Sequence, residues 1–264
     1  MQLHDSEIRT REVTQWQGLH LLHYALSSCS QKVRILIGEL GIPYTSHPVN
    51  LMRDKQRTDW YLGINPRGLV PVLVHDGKVH VESNDIIEYL NGLFASAENT
   101  LLPVTDAEQQ EMRELMDLED RLHADLRTVT FTYLAPDPSD HAPQLDKADY
   151  GYIGRLHDAC TRLDQRLGTR PYLLGERMTL ADVSWFITLH RLKRAAYPFE
   201  IHPNLKAYLG RIAQRPAFRK ELGAGPLALR IAGSAYRTLK RLRGQSLARD
   251  YERWLTAKQQ TAAH

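Results

Sequence analysis

The 264-residue chain has little cysteine: Cys29 and Cys160 are the only two, and neither belongs to a Cys-x-x-Cys pair. That count excludes a disulfide framework and a zinc ribbon. Long apolar runs are missing too, since none approaches the roughly 18 residues that a membrane-spanning helix requires. The opening stretch MQLHDSEIRTREVTQWQG has no apolar segment of the kind a secretory leader needs, so a cytoplasmic address is expected. Charge is nearly balanced: 34 Lys and Arg face 31 Asp and Glu, a formal net charge of +3, which leaves no general field for nucleic acid. The twelve histidines include no His-Glu-x-x-His and no other helical ligand pair. His20 and His23 lie three apart in an expected strand, face opposite sides and cannot share a metal. No internal repeat or low-complexity stretch occurs.

What the chain does have is a globular composition, 42% hydrophobic and 25% charged. This supports a sizeable core and excludes global disorder. The length predicts two domains. Residues 1–17 are polar and without periodicity and are expected to form an arm. Residues 19–26 read as a strand, followed at once by a helix in which Val33, Leu36, Ile37 and Leu40 share a face and Gly41 provides a left-handed end. Residues 44–51 look extended, and the run Arg53-Asp54-Lys55-Gln56-Arg57 looks like a solvated turn or short helix.

Two β-rich runs, 69–74 and 78–82, joined through His75-Asp76-Gly77, predict a hairpin. A helix from about Asn84 to Phe94 follows, with Ile86, Leu90 and Leu93 on one face. The order βαβ, hairpin, α defines an α/β domain over residues 18–100. Beyond Thr100-Leu-Leu-Pro103 the spacing is helical, including 106–128 and 147–168, so residues 105–222 read as an all-α domain. Within it, Thr179-Leu-Ala-Asp182 is a capping box with Met178 and Val183 as its staple, a folding feature. Gly223-Ala-Gly-Pro226 interrupts the chain. Residues 223–264 form a basic helical extension, in which Arg230, Arg237, Lys240, Arg241, Arg243, Arg249, Arg253 and Lys258 oppose only Asp250 and Glu252. Its apolar positions, Tyr236, Leu239 and Leu242 and then Tyr251, Trp254 and Leu255, suit either packing on the second domain or contact with an anionic surface.

Four elements could carry chemistry. Ser27-Ser28-Cys29-Ser30 puts hydroxyls and a thiol where free N–H groups and the helix dipole favour an anion; a serine N-cap is the plainer reading. Asn65-Pro-Arg-Gly-Leu-Val-Pro71 breaks a strand at Val70-Pro71. Such a break suits either a cis bond that offers the Val70 backbone to a ligand or an edge-strand proline. Glu82-Ser83 at a helix start is either a cap or a cradle for a zwitterionic amino-acid head. The basic run 53–57 is ordinarily a solvated surface.

Taken together and in this order, over residues 19–222, these elements resemble the glutathione S-transferase superfamily. Ser-Ser-Cys-Ser-Gln-Lys-Val-Arg-Ile is similar to the zeta-class signature. The segment from Asp59-Trp60 through Leu90, with Asn-Pro-Arg-Gly and His-Asp-Gly-Lys, is similar to bacterial lignin β-etherases. The resemblance implies a thioredoxin-like first domain, an all-α second domain, glutathione as cosubstrate and a homodimer. It also implies that Val70 pairs with the cysteinyl backbone, that Pro71 is cis, and that Glu82 and Ser83 hold the γ-glutamyl end. Ser27 would donate to the glutathione sulfur, with Ser28 and Cys29 as neighbouring candidates, and Lys55 or Gln56 would meet the glycyl carboxylate. A cysteine at position 29 fits zeta isomerases and reductive dehalogenases of the zeta-like group alike, and also a small half-buried thiol. Because a free thiol with pKa near ~8.5 is mostly protonated at neutral pH, a hydroxyl donor at a helix N-terminus favours the nucleophilic thiolate. The expected substrate is a hydrophobic aromatic electrophile, such as a β-aryl ether, enclosed by the long extension. Tyr133, His123, Trp185 and Tyr197 are the expected lining. The alternatives are a maleylacetoacetate isomerase, a reductive dehalogenase, and a non-catalytic scaffold on the same fold.

Overall fold

The computed structural model describes residues 1–135, 150–224 and 227–262; Gly225 and Pro226 of the expected interruption, and 147–149 of an expected helix, lie outside these residues. The chain forms two units, Met1–Leu102 with Gln214–Ala224, and Pro103–Ala213 with the residues from Gly225 onward.

In the first unit, the buried apolar runs of two central strands build a four-stranded sheet ordered β2-β1-β3-β4. Its strands are β1 (Leu19–His23), β2 (Thr45–Pro48), β3 (Val72–His75) and β4 (Lys78–His80). β1 runs parallel to β2 and antiparallel to β3, and β3 pairs with β4 through the expected turn. β1 is shorter than residues 19–26 because the carbonyls of Tyr24 and Ala25 accept from the Arg34 guanidinium, at 3.2 and 2.9 Å, instead of joining a ladder. The helices are α1 (Ser28–Leu40), the single turn α2 (Asp59–Leu62) and α3 (Ser83–Phe94). Gly41 ends α1 at φ 65°, its N–H returning to the Ile37 carbonyl. Ile86 and Leu90 are buried, but Leu93 is half exposed. Asn91 takes the inner position in the last turn of α3, its amide bonding Thr100 Oγ1 and the Leu101 N–H.

Residues 1–17 are not a detached arm. Leu3, Ile8 and Val13 are buried in one cluster with Leu22, Tyr61, Ile64, Val72, Val74 and Val79. Leu3 N–H donates to the Val79 carbonyl, and the Arg9 and Thr10 N–H groups to that of Gly63. The segment passes so close to the hairpin that a Cβ on Gly77 would stand 2.3 Å from the Thr14 carbonyl oxygen. Leu21 and Leu73, pointing to the opposite face of the sheet, are fully buried as well.

Residues 214–222, expected at the end of the helical domain, belong to the first unit. Its helix α9 (Pro216–Leu222) packs on α1. There Arg34 forms a buried ion pair with Glu221 at 2.6 Å, and Gln31 Nε2 donates to the Glu221 carbonyl.

The second unit is helical: α4 (Asp106–Arg121), α5 (His123–Val129), a π-helical turn (Thr130–Leu134), α6 (Gly151–Arg166), α7 (Leu180–Arg194), α8 (Pro203–Ile212), α10 (Leu227–Leu242) and α11 (Leu247–Ala262). Asp182 caps α7 as expected, accepting from the Thr179 N–H at 2.7 Å and also from the Leu173 N–H and the Tyr208 hydroxyl. Burial pushes its carboxyl upward, against the pull of those donors. Met178 and Val183 are buried beside it. α11 is fastened to α6, where a Cβ on Gly154 would lie 3.1–3.3 Å from the Trp254 ring, and to the π-helical turn, whose Tyr133 hydroxyl donates to Asp250 at 2.5 Å. α10 packs on the π-helical turn through one side only, leaving Leu239 and Leu242 exposed; Leu255 of α11 is exposed too.

Candidate functional site

One end of the sheet gathers most of the candidate residues, for reasons of register. β1 runs into the loop that holds Ser27. Leu22 faces Val72 in the ladder, so Val70 falls just beyond it, level with Tyr24. On the other side Leu73 faces His80, which brings Ser83 level with Val70. The N-termini of α1 and α3 therefore meet at this end, together with Val70, just before β3 and outside the ladder. Both helix dipoles present their positive ends there, which favours a thiolate or carboxylate. Lys32, almost fully buried in α1, donates to Asn84 Oδ1 at 3.0 Å and ties the two helices together.

Ser27 is the N-cap of α1 and accepts from the Ser30 N–H at 3.3 Å. Accepting through its oxygen leaves the hydroxyl proton available to a sulfur. Ser28 is buried in the first turn and Cys29 is half-buried; neither Cys29 nor Cys160 is in a disulfide. The Val70-Pro71 bond is cis. Tyr61 Oη and Asn65 Nδ2 both donate to the Leu69 carbonyl and hold the loop before it.

Glu82 is the N-cap of α3, but its carboxylate caps no N–H group. It pairs instead with the Arg67 guanidinium. Its backbone lies at φ 65°, a region that L side chains rarely adopt and that is often retained at ligand sites. Ser83 is buried. Lys55 is exposed, whereas Gln56 is half-buried and its Oε1 has no hydrogen-bond partner among the described residues. Gly68, at φ 63°, passes so close that a Cβ there would sit 3.1 Å from the Gln56 carbonyl oxygen, placing residue 56 against the Arg67-Gly68-Leu69 loop.

Two residues escaped the sequence reading. Arg67 lay inside a quoted motif, yet nothing local shows that it reaches Glu82, fifteen positions on. Tyr24, three positions before Ser27, carries a buried hydroxyl without a partner among the described residues. Burial raises its pKa and so keeps the proton on a group able to donate. In the second unit, three of the four expected lining residues are core members with satisfied polar tips. Trp185 donates to the Leu115 carbonyl, Tyr133 bonds Asp250 and Tyr152, and Tyr197 bonds His157 and His202. No periodicity in the sequence ranks them, and the packing uses these three structurally. His123 is half-buried.

A mixed βαβ-ββα sheet unit of thioredoxin type, with an anion-favouring end and a helical partner unit, defines a class of thiol-handling proteins. The N-terminal domain model of glutathione S-transferases matches residues 26–93, and the C-terminal domain model matches residues 114–211. Glutathione S-transferase 3 of Zea mays is 30% identical, covering 79% of this chain and 95% of its own. The chain belongs to the glutathione S-transferase family, whose cosubstrate is glutathione. Protein LigF of Sphingobium sp. strain SYK-6 is 29% identical, over 76% of this chain and 92% of that protein. The crystal structure of that β-etherase superposes with TM-score 0.68 at 26% identity, covering 78% of this chain and 99% of its own. A maleylacetoacetate isomerase of Pseudomonas aeruginosa is 28% identical, over 76% and 94% of the two chains.

Proposed function

We propose that the chain is a glutathione-dependent transferase acting on hydrophobic aromatic electrophiles, and that the electrophile is a β-aryl ether. The carrying observation is the meeting, at one end of the sheet, of the Ser27 hydroxyl, the Val70 backbone outside the ladder and the start of α3. The likeness to LigF in both sequence and fold supports the ether as substrate.

Glutathione supplies the sulfur nucleophile. In this reading residues 18–100 form its binding domain. The Val70 N–H and C=O pair with the cysteinyl backbone, Pro71 fixes their direction, and Ser83 with the first N–H groups of α3 takes the γ-glutamyl carboxylate. Glu82 divides its carboxylate between Arg67 and the γ-glutamyl ammonium. Lys55, through its ammonium, or Gln56, through its amide N–H, donates to the glycyl carboxylate. Ser27 and Tyr24 donate toward the sulfur and hold it as thiolate, while Ser28 and Cys29 stay adjacent. The S–C bond forms as the C–O bond breaks, and the electron pair leaves on the phenolic oxygen, which then takes a proton from water.

Incubation with glutathione and a β-aryl ether, followed by mass spectrometry, is expected to give a glutathione conjugate and one equivalent of phenol. Ser27→Ala should lower the rate about a hundredfold, as loss of one anion-stabilising donor does, while Cys29→Ala remains active. Absence of conjugate, together with isomerisation of maleylacetoacetate, or with replacement of halogen by hydrogen on a halogenated phenol as two glutathiones are oxidised to the disulfide, overturns the ether reading in favour of the isomerase or dehalogenase.

A further inference from the structure

The side of α10 that faces away from the π-helical turn is apolar and open. Leu227, Ile231, Ala235 and Leu239 succeed one another at four-residue steps, and Leu242 follows one turn later. Leu227, Ile231, Leu239 and Leu242 are 67%, 61%, 46% and 81% exposed. The packed side is made by Gly233, Tyr236, Arg237 and Lys240, with the Tyr236 hydroxyl directed at the Phe131 carbonyl. A contiguous leucine ridge in water costs free energy unless something covers it.

Charge identifies the cover. Between residues 227 and 249 the chain has Arg230, Arg237, Lys240, Arg241, Arg243 and Arg249 and no Asp or Glu. The end of α7 adds Arg191, Lys193 and Arg194, and Arg241 donates to the Arg194 carbonyl at 3.4 Å. Burial and then the charge of Arg230 lower the pKa of Arg194, and burial and then the charges of Arg194 and Arg241 lower that of Arg237. A second copy of this ridge would bring like charges face to face. A nucleic acid would neutralise the arginines and leave the leucines in water. An anionic bilayer takes both. At 16 residues, or about 24 Å, α10 falls short of the roughly 30 Å hydrocarbon core, so it would lie along the surface.

We propose that α10 docks this protein on anionic phospholipid membranes, with Leu227, Ile231, Leu239 and Leu242 entering the acyl boundary and Arg230, Arg241 and Arg243 meeting headgroup phosphates. The test is co-sedimentation of the full chain with phosphatidylcholine vesicles, with and without phosphatidylserine. The expected result is binding that requires phosphatidylserine and weakens with salt. The double variant R230Q/R241Q should bind roughly 25-fold more weakly, about fivefold per surface charge, and the triple variant I231S/L239S/L242S should not sediment. Both should keep the helical circular dichroism of the parent, because the altered side chains are exposed. Equal sedimentation with neutral vesicles, no vesicle binding, or variants that bind like the parent each overturn the proposal. Retention by duplex DNA without vesicle binding would assign the basic face to nucleic acid. A dimer that the serine variant dissociates without lipid would assign the ridge to self-association.

Discussion

At the scale of single residues, Glu82 shows how the site departs from the most stable backbone. A glutamate at φ 65° carries a cost of order 1–3 kcal/mol that glycine would not. Its exposed pair with Arg67 repays little, since such pairs contribute about 0–1 kcal/mol. Glu82→Gly should therefore leave the urea midpoint unchanged or higher while raising the KM for glutathione; a lowered midpoint with unchanged KM would make Glu82 a structural residue. The serines at 27–30, the Val70-Pro71 bond and the Glu82-Ser83 pair were legible because each is a local signal with a local cause. Arg67 and Tyr24 were not. Arg67 pairs with a residue fifteen positions away, and the burial of the Tyr24 hydroxyl is set by tertiary packing, so neither leaves a trace in nearby sequence.

At the scale of elements, strands and helices with regular periodicity were readable, and the misreadings came where tertiary contact replaces periodicity. Leu3, Ile8 and Val13 are five residues apart, which matches neither a strand nor a helix, so residues 1–17 resembled an arm although each of the three is buried. Burying three such side chains contributes roughly 1.5–3 kcal/mol each, a large part of the 5–15 kcal/mol that holds an ordinary domain. A chain lacking residues 1–17 is expected to melt well below the full protein, or to be recovered insoluble. An unchanged thermal midpoint would show that the sheet is stable without its cover. The extension was half legible: packing on the second domain was one of its two expected uses, and Trp254 of α11 follows it, but spacing alone could not show that Leu255 and the ridge of α10 face water.

At the scale of the whole molecule, buried histidines set a pH dependence. His23, His80 and His190 are each held down to about 4, mainly by burial, with Arg34 next for His23 and Arg194 next for His190. His23 is fixed in its neutral form, Nδ1 accepting from Arg34 at 2.9 Å and Nε2 donating to Ser46 Oγ at 2.7 Å. The unfolded chain, with histidine near 6.5, binds more protons than the folded one between about pH 4 and 6.5. Stability is thus complete above that window and falls as the pH descends through it. Melting followed from pH 7.5 to pH 5 should show a declining midpoint, and His23→Gln should flatten the decline. A midpoint that rises on acidification would contradict the burial.

Helix α9 gives the first unit an unusual timetable. Arg34 and Gln31 wait for Glu221, a residue that emerges from the ribosome only after the whole stretch from 103 to 213 has been translated. At about 5–20 residues per second, that delay lasts on the order of ten seconds. During it, the guanidinium meant for burial has no carboxylate, so the sheet unit, although its synthesis starts first, cannot be completed until the stretch from 103 to 213 has been made. Nascent chains stalled before residue 221 should accordingly be more sensitive to protease in their first hundred residues than chains released just beyond it.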